Sequence, residues 1–163
     1  MKRSVLVAGI GNIFLRDDGW GSEVARRLAA SPPPGATVTD FGISGMHLAY
    51  EMLSGYETVV LVDAVSRGGD PGTVYLIEPE LDDAAGPGDA HRMDLQSVFG
   101  FMNQIKTGPA PAILVVGCEP ADVGEGMGLS ETVTHAIEPA LAMIRDVLVR
   151  RTEPMASAAH PSS

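Results

Sequence analysis

The chain has 163 residues, a formal net charge of −10 and one cysteine, Cys118. The length predicts one domain with a sizeable core. The acidic balance disfavours nucleic acid as a partner, and a single cysteine excludes a disulfide framework. No apolar run approaches the roughly 20 residues that span a bilayer. We therefore expect a cytoplasmic monomer that contacts neither nucleic acid nor membrane.

The first elements are a strand, a turn and a helix. An apolar run predicts a buried strand over residues 3–8, rather than a secretory signal. A glycine-containing turn follows at 9–17, and apolar residues that recur every four positions predict a helix over 18–30. Asp17 is a candidate N-cap for that helix. The proline-rich segment 31–35 ends it.

The rest of the chain continues this alternation. Strands are predicted at 37–40, 58–62, 73–77 and 112–116, and helices at 46–54 and 93–106. Ser130 is a plausible N-cap for a final helix that ends near residue 150, and Pro139 predicts a kink in it or two abutting helices. We expect one domain over 1–151 and a disordered tail over 152–163, which is small, polar and proline-containing.

Alternating strands and helices predict an α/β three-layer sandwich with a mostly parallel sheet and helices on both faces. In such sheets, ligands bind beyond the carboxyl ends of the strands. That rule places residues 12–18, residues 40–45, Asp63 and Glu119 along one rim. We expect the functional site there.

One candidate for the rim is a dinucleotide site. Gly9 and Gly11 follow the first strand, and Asp40 ends the second, where a ribose-binding acid would lie. The third glycine position, however, holds Phe14. Two adjacent aspartates also occupy the start of the helix, where a phosphate needs amides and cations. This match is incomplete.

The other candidate is a metal site. Asp18 begins a helix, Asp63 ends the central strand and His91 precedes a later helix. Two carboxylates and an imidazole suit nickel or zinc better than magnesium or calcium. Spacing alone is weak support. Asp18 could be only a helix cap, Asp63 could bind loop amides and His91 could be a loop histidine. Cys118 has no obvious histidine partner and is interpreted as a buried structural thiol.

Several motifs occur together in a fixed order, at 9–21, 40–46, 60–64, 72–74, 91, 117–120, 128–133 and 137–141. With these motifs the chain resembles the nickel–iron hydrogenase maturation endopeptidases over nearly all of its length to about residue 150. The resemblance implies a twisted five-stranded sheet between helical layers. It also implies an enzyme that removes a short C-terminal peptide from the hydrogenase large-subunit precursor after nickel insertion.

The family's metal ligands carry over to Asp18, Asp63 and His91, which would engage nickel supplied by the precursor. The first is often glutamate in the family and is aspartate here. Asp40 is a weaker candidate, either as an auxiliary catalytic acid or as an anchor of the turn at 42–45. We expect the opening glycines to turn the chain off the first strand and aim Asp18 at the other ligands. A non-catalytic, metal-dependent chaperone of the precursor is the alternative function, because no classical protease nucleophile is visible.

Overall fold

The computed structural model describes residues 4–79 and 94–152. The strands are β1 (Val5–Ile10), β2 (Ala36–Gly42), β3 (Thr58–Ala64), β4 (Val74–Ile77) and β5 (Ala112–Cys118). The helices are α1 (Trp20–Ala29), α2 (Gly45–Met52), α3 (Leu95–Ile105), α4 (Glu131–Thr134) and α5 (Ile137–Thr152). A single 3₁₀ turn, Arg16–Gly19, precedes α1. The predicted alternation of strands and helices is confirmed.

The strands form one sheet in the order β2-β1-β3-β5-β4. All neighbours are parallel except β4, which runs antiparallel to β5. β1 is buried along its whole length, as expected for an inner strand that is covered on both faces. The predicted mostly parallel, five-stranded sheet is therefore correct. The carboxyl ends of its four parallel strands meet at one edge.

Two apolar clusters confirm the three layers. Side chains alternate between the faces of a strand, so Val5 and Val7 pack with α1 and α5 on one face of the sheet. Leu6 and Ala8 pack with α2 and α3 on the other face. None of the helices in the described ranges is long and apolar enough to cross a membrane.

Helix α1 lies against the sheet with little space between them. A Cβ atom on Gly21 would overlap the carbonyl oxygen of Val62, and one on Gly9 would lie 2.6 Å from the carbonyl oxygen of Gly21. Gly9 is still part of β1, so its expected role in turning the chain is wrong. It permits close helix–strand packing instead. This packing holds the turn before α1 beside the end of β3.

Of the two helix N-caps predicted from the sequence, one is wrong and one is correct in position. Asp17 does not cap α1, because the N-cap residue is Gly19 and the Asp17 carboxylate accepts hydrogen bonds from a distant loop. Ser130 is the N-cap residue of α4, as predicted, but its side chain accepts no hydrogen bond from the helix, and its hydroxyl donates to Asp17. The final helical stretch is divided into two abutting helices, as Pro139 allowed. Pro139 is the third residue of α5, where an amide N–H would have no intrahelical partner.

Candidate active site

Asp18 and Asp63 line the same pocket, which has a volume of about 730 Å³. Asp63 lies near the carboxyl end of β3, and Asp18 lies on the 3₁₀ turn that follows the neighbouring strand β1. The turn contacts β3 directly. The rim predicted from strand order thus brings together two of the three proposed metal ligands.

The two carboxylates have different surroundings. Asp63 is only 9% exposed. Burial, and then the negative charge of Asp18, raise its pKa well above the usual range, and the backbone N–H of Ala64 opposes that rise only in part. Asp18 is half-buried, and its Oδ2 accepts the backbone N–H of Asn12 at 3.0 Å. A cation between the two carboxylates would remove the repulsion that raises the pKa of Asp63.

The pocket contains charged residues that the sequence analysis did not single out. Arg67, Glu78 and Asp94 also line it. The Arg67 guanidinium carbon lies 5.6 Å from the centre of the Tyr75 ring. Arg67 follows Asp63 by four positions, so the rule that selected the strand ends could have found it. Asp94 was recognisable as the N-cap of α3, and its carboxylate accepts the N–H of Ser97 at 2.8 Å.

His91, the third proposed ligand, lies outside the described residues. The described chain on both sides of it, at Pro79 and Asp94, lines the pocket that contains Asp18 and Asp63. Within residues 4–79 and 94–152, no three histidine, cysteine or acidic side chains are grouped closely enough to hold a metal. The described part of the site therefore offers two carboxylates to a metal, and the triad stays a prediction.

Asp40 lies outside this pocket. It is exposed near the end of β2, and its Oδ1 accepts the N–H of Gly42 at 2.9 Å. β1 separates β2 from β3, the strand that carries Asp63. These contacts agree with the proposed role of Asp40 as an anchor of the turn at 42–45, while its catalytic role stays a prediction.

Glu119 was predicted to lie on the rim because it follows β5. Its carboxylate instead accepts hydrogen bonds from the loop beside the pocket. Its Oε1 accepts the N–H groups of Arg67 at 2.9 Å and Gly69 at 3.2 Å, and the hydroxyl of Tyr75 at 2.6 Å. The hydrogen bond from Tyr75 and then that from Arg67 lower the pKa of Glu119. Glu119 thereby fixes the loop that presents Arg67.

Asp17 is fully buried and holds the 3₁₀ turn in place. Its carboxylate accepts the N–H groups of Ala121 and Asp122, each at 2.9 Å, and both the N–H and the hydroxyl of Ser130, at 2.7 and 2.9 Å. Burial acts to raise the pKa of Asp17, but these hydrogen bonds outweigh it and lower the pKa. The turn that carries Asp18 is therefore fixed to the loop after β5.

Cys118 is buried at the end of β5. Burial, and then the charges of Asp17 and Glu119, raise the pKa of its thiol to about 11. A thiol with that pKa is protonated at neutral pH and is a poor nucleophile. The prediction that Cys118 is buried is confirmed.

The start of the helix does not suit a dinucleotide. The backbone N–H of Asn12, which a phosphate would need, already donates to Asp18. Phe14 occupies the position of the third glycine and is 62% exposed. The close helix–strand approach is instead provided by Gly21, later in the sequence.

Comparisons with known proteins identify one family. A family model described as hydrogenase maturation protease matches residues 22–147. The hydrogenase expression/formation protein HupD of Bradyrhizobium diazoefficiens is 32% identical, over 93% of this chain and 85% of its own length. The hydrogenase 2 maturation protease of Escherichia coli is 30% identical, over 86% of this chain and 87% of its own.

Comparison with solved structures identifies the same family. The hydrogenase maturating endopeptidase HybD from Escherichia coli superposes with a TM-score of 0.73 at 29% identity, covering 91% of this chain and 93% of that one. The [NiFe] hydrogenase maturation protease HycI from Thermococcus kodakarensis gives 0.67 at 25% identity, covering 90% and 93%. The similarity thus extends over about nine-tenths of this chain.

Proposed function

This chain belongs to the hydrogenase maturation protease family, and from that premise we propose that it recognises its client through nickel. It is a peptidase, and the known role of its family is to process the C-terminus of the hydrogenase large subunit. The client that we propose is a nickel–iron hydrogenase large-subunit precursor. Its C-terminal extension would be removed once nickel has been inserted.

The observation that carries the nickel proposal is the convergence of Asp18 and Asp63 on one pocket. The mutual repulsion of the two carboxylates, one of them buried, favours a divalent cation between them. Nickel accepts carboxylate oxygens and imidazole nitrogens. His91 is the proposed third ligand, and Asp94, three positions after it, lines the same pocket.

The nickel belongs to the substrate in this proposal. Asp18, Asp63 and His91 engage the metal of a loaded precursor, so a precursor without nickel lacks the docking point. Bound nickel also supplies Lewis acidity close to the bond that is cut. A carboxylate accepts a proton from the water molecule that attacks the peptide carbonyl, and then returns that proton to the peptide nitrogen, so that the C–N bond breaks and a neutral amine leaves.

Intact-mass spectrometry tests the function. Purified protein is incubated with nickel-loaded precursor and, in parallel, with the same precursor free of nickel. We expect only the loaded precursor to lose the mass of its extension. An unchanged mass in both samples would favour the non-catalytic chaperone.

The same assay tests the ligands. We expect Asp63→Asn and His91→Ala to leave the loaded precursor uncut, because each removes one metal ligand. Normal processing by both variants would show that the metal triad is wrong.

We also propose that the protein acts as a monomer in the cytoplasm. The single, buried and protonated Cys118 is compatible with a reducing compartment. Light scattering of the purified protein is expected to give the mass of one 17.0 kDa chain, and twice that mass would contradict the proposal.

A further inference from the structure

A second pocket, of about 330 Å³, borders the same 3₁₀ turn as the pocket of the carboxylate pair. Asp18 lines the first pocket, whereas Arg16 and Gly19 of the same turn line the second. We call the second one the basic pocket, after its three arginines, Arg16, Arg26 and Arg27. A peptide lying across the turn would contact both pockets.

The charge of the basic pocket differs in sign from that of the whole chain. Within the part of the chain that the structure describes, three arginines and one glutamate, Glu23, line it, although the protein carries a net charge of −10. Glu23 pairs with Arg26 at 2.6 Å and with Arg27 at 3.0 Å. Each guanidinium has several N–H donors and uses one of them in its Glu23 pair. The pocket therefore retains both positive charge and donor capacity for an anion.

Arg16 is held in position by its backbone. Its N–H donates to the carbonyl oxygen of Gly126 at 2.9 Å, and its φ of 46° lies in the left-handed region, which is unfavourable for arginine. Its guanidinium lies over Gly126, where an added Cβ would be 2.8 Å from the guanidinium carbon. Among the described residues, its guanidinium forms a single weak ion pair, with Asp122 at 3.7 Å. The surrounding structure thus holds Arg16 in a position where its positive charge is only weakly compensated.

The walls of the basic pocket are partly apolar. Ile13 and Met127 line it, and Met127 is 64% exposed. Exposed apolar side chains beside a charged pocket are typical of a binding surface for protein segments. The occupant that fits is a peptide segment with a carboxylate near an apolar residue.

We propose that the basic pocket binds a carboxylate of the client's C-terminal extension while Asp18 and Asp63 engage the metal. The inference rests on the proposed function, because it assigns a second contact to the same substrate. The carboxylate belongs either to an acidic side chain of the extension or to its free C-terminus. The basic pocket adds affinity for the extension and takes no part in the chemical step.

Steady-state kinetics on nickel-loaded precursor test the proposal with an Arg26→Gln/Arg27→Gln double variant. Loss of charge-assisted hydrogen bonds is expected to raise KM about five- to tenfold and leave kcat unchanged, since the chemistry is elsewhere. Arg150→Gln is the matched control. Arg150 is exposed and pairs with Asp146, four residues earlier, at 2.9 Å, much as Arg27 pairs with Glu23, but it lies outside the basic pocket. Its KM should equal that of the wild type, and thermal melting should show all proteins folded.

Two altered precursors identify the source of the carboxylate. In one the acidic residues of the extension become amides, and in the other the C-terminus is amidated. The precursor that lacks the bound carboxylate should show a raised KM with the wild type and no further rise with the double variant. If the double variant had the KM of the wild type, the proposal that the basic pocket binds a carboxylate of the extension would be wrong. Failure of the proposed nickel recognition would be seen in a different variant. Asp63→Asn would then cleave the loaded precursor at the normal rate, whatever the arginine variants do.

Discussion

Asp17 and Asp63 are both buried aspartates at the same edge of the sheet, yet their pKa values move in opposite directions. Asp17 is 0% exposed and Asp63 is 9% exposed, so burial alone does not separate them. Four N–H and O–H donors surround Asp17 and lower its pKa. For Asp63, burial and then the negative charge of Asp18 raise the pKa, and the backbone N–H of Ala64 offsets this only in part.

The difference lies in the hydrogen-bond donors that the fold supplies. A buried carboxylate whose oxygens accept hydrogen bonds from surrounding donors stabilises the local structure, as Asp17 does for the 3₁₀ turn. Where the neighbour is a second carboxylate, the site is less stable without a cation. The two acids should therefore respond to substitution in opposite ways.

The largest effect is expected from Asp63→Asn. Loss of a metal ligand should reduce the rate of processing by about a thousandfold, more than the 10–100-fold typical of groups that only support a ligand. The same change removes a buried charge that Asp18 repels. We therefore expect the free energy of unfolding in urea to stay constant or rise.

Asp40→Asn is the control for this experiment. Asp40 is exposed and lies outside the pocket, so the amide variant should keep most of its activity if Asp40 only anchors the turn at 42–45, whereas a large loss would support its role as an auxiliary catalytic acid. If Asp63→Asn were active but destabilised, Asp63 would be a structural residue like Asp17.

Asp17→Asn is expected to show the reverse pattern. The amide replaces an accepting oxygen by an NH₂ group that faces N–H donors, so at least one charge-assisted hydrogen bond is lost and a donor is left unpaired. The free energy of unfolding should fall by about 3 kcal/mol. Urea denaturation followed by circular dichroism measures it. A loss below about 0.5 kcal/mol would mean that the loop after β5 does not depend on Asp17.

Acid titration distinguishes the same two residues. The pKa of Asp17 is lowered in the folded state from its ordinary 3.8, so its stabilisation is complete above that pH and is lost as pH falls through the folded pKa. The unfolding free energy of the wild type should therefore fall more steeply below pH of about 4 than that of Asp17→Asn. Parallel curves for the two proteins would contradict the role of Asp17.

The contribution of Asp63 to stability changes with pH in the direction opposite to that of Asp17. Its pKa is raised in the folded state, so the unfolded chain loses this proton more readily than the folded protein, and stability falls as pH rises above 3.8 towards the folded pKa. Any gain in stability from Asp63→Asn should therefore be larger near pH 8 than near pH 4 in metal-free buffer. Equal gains at both values would show that the charge of Asp63 is not the cause.

The smallest effect is expected from Tyr75→Phe. It removes one hydroxyl donor from Glu119, which keeps the N–H groups of Arg67 and Gly69. The unfolding free energy should fall only slightly, with processing little changed. A large loss of activity instead would show that the position of Arg67, whose guanidinium lies over the Tyr75 ring, matters for catalysis.

Local sequence patterns predicted most of the fold. Apolar and β-branched runs located all five strands of the sheet, and the rule on strand ends brought Asp18 and Asp63 to one pocket. The direction of β4 was not predictable in the same way. Its antiparallel pairing depends on β5, which lies about 40 residues later in the chain.

The role of Asp17 could not be found locally. Its hydrogen-bond partners lie 104 to 113 residues away, so the sequence around it offered only a helix cap. The basic pocket was missed for a similar reason. Arg16 and Arg26 are ten residues apart, and Met127 joins them only through the fold.

The affinity of the protein for its precursor tests the central claim most directly. Calorimetry measures Kd for wild type and Asp63→Asn, each with nickel-loaded and nickel-free precursor. Because Asp63 is proposed to ligate the metal, the wild type should bind the loaded precursor at least about tenfold more tightly. Asp63→Asn should lose that preference. An equal preference for nickel in both proteins would contradict the claim that the carboxylate pair recognises the metal.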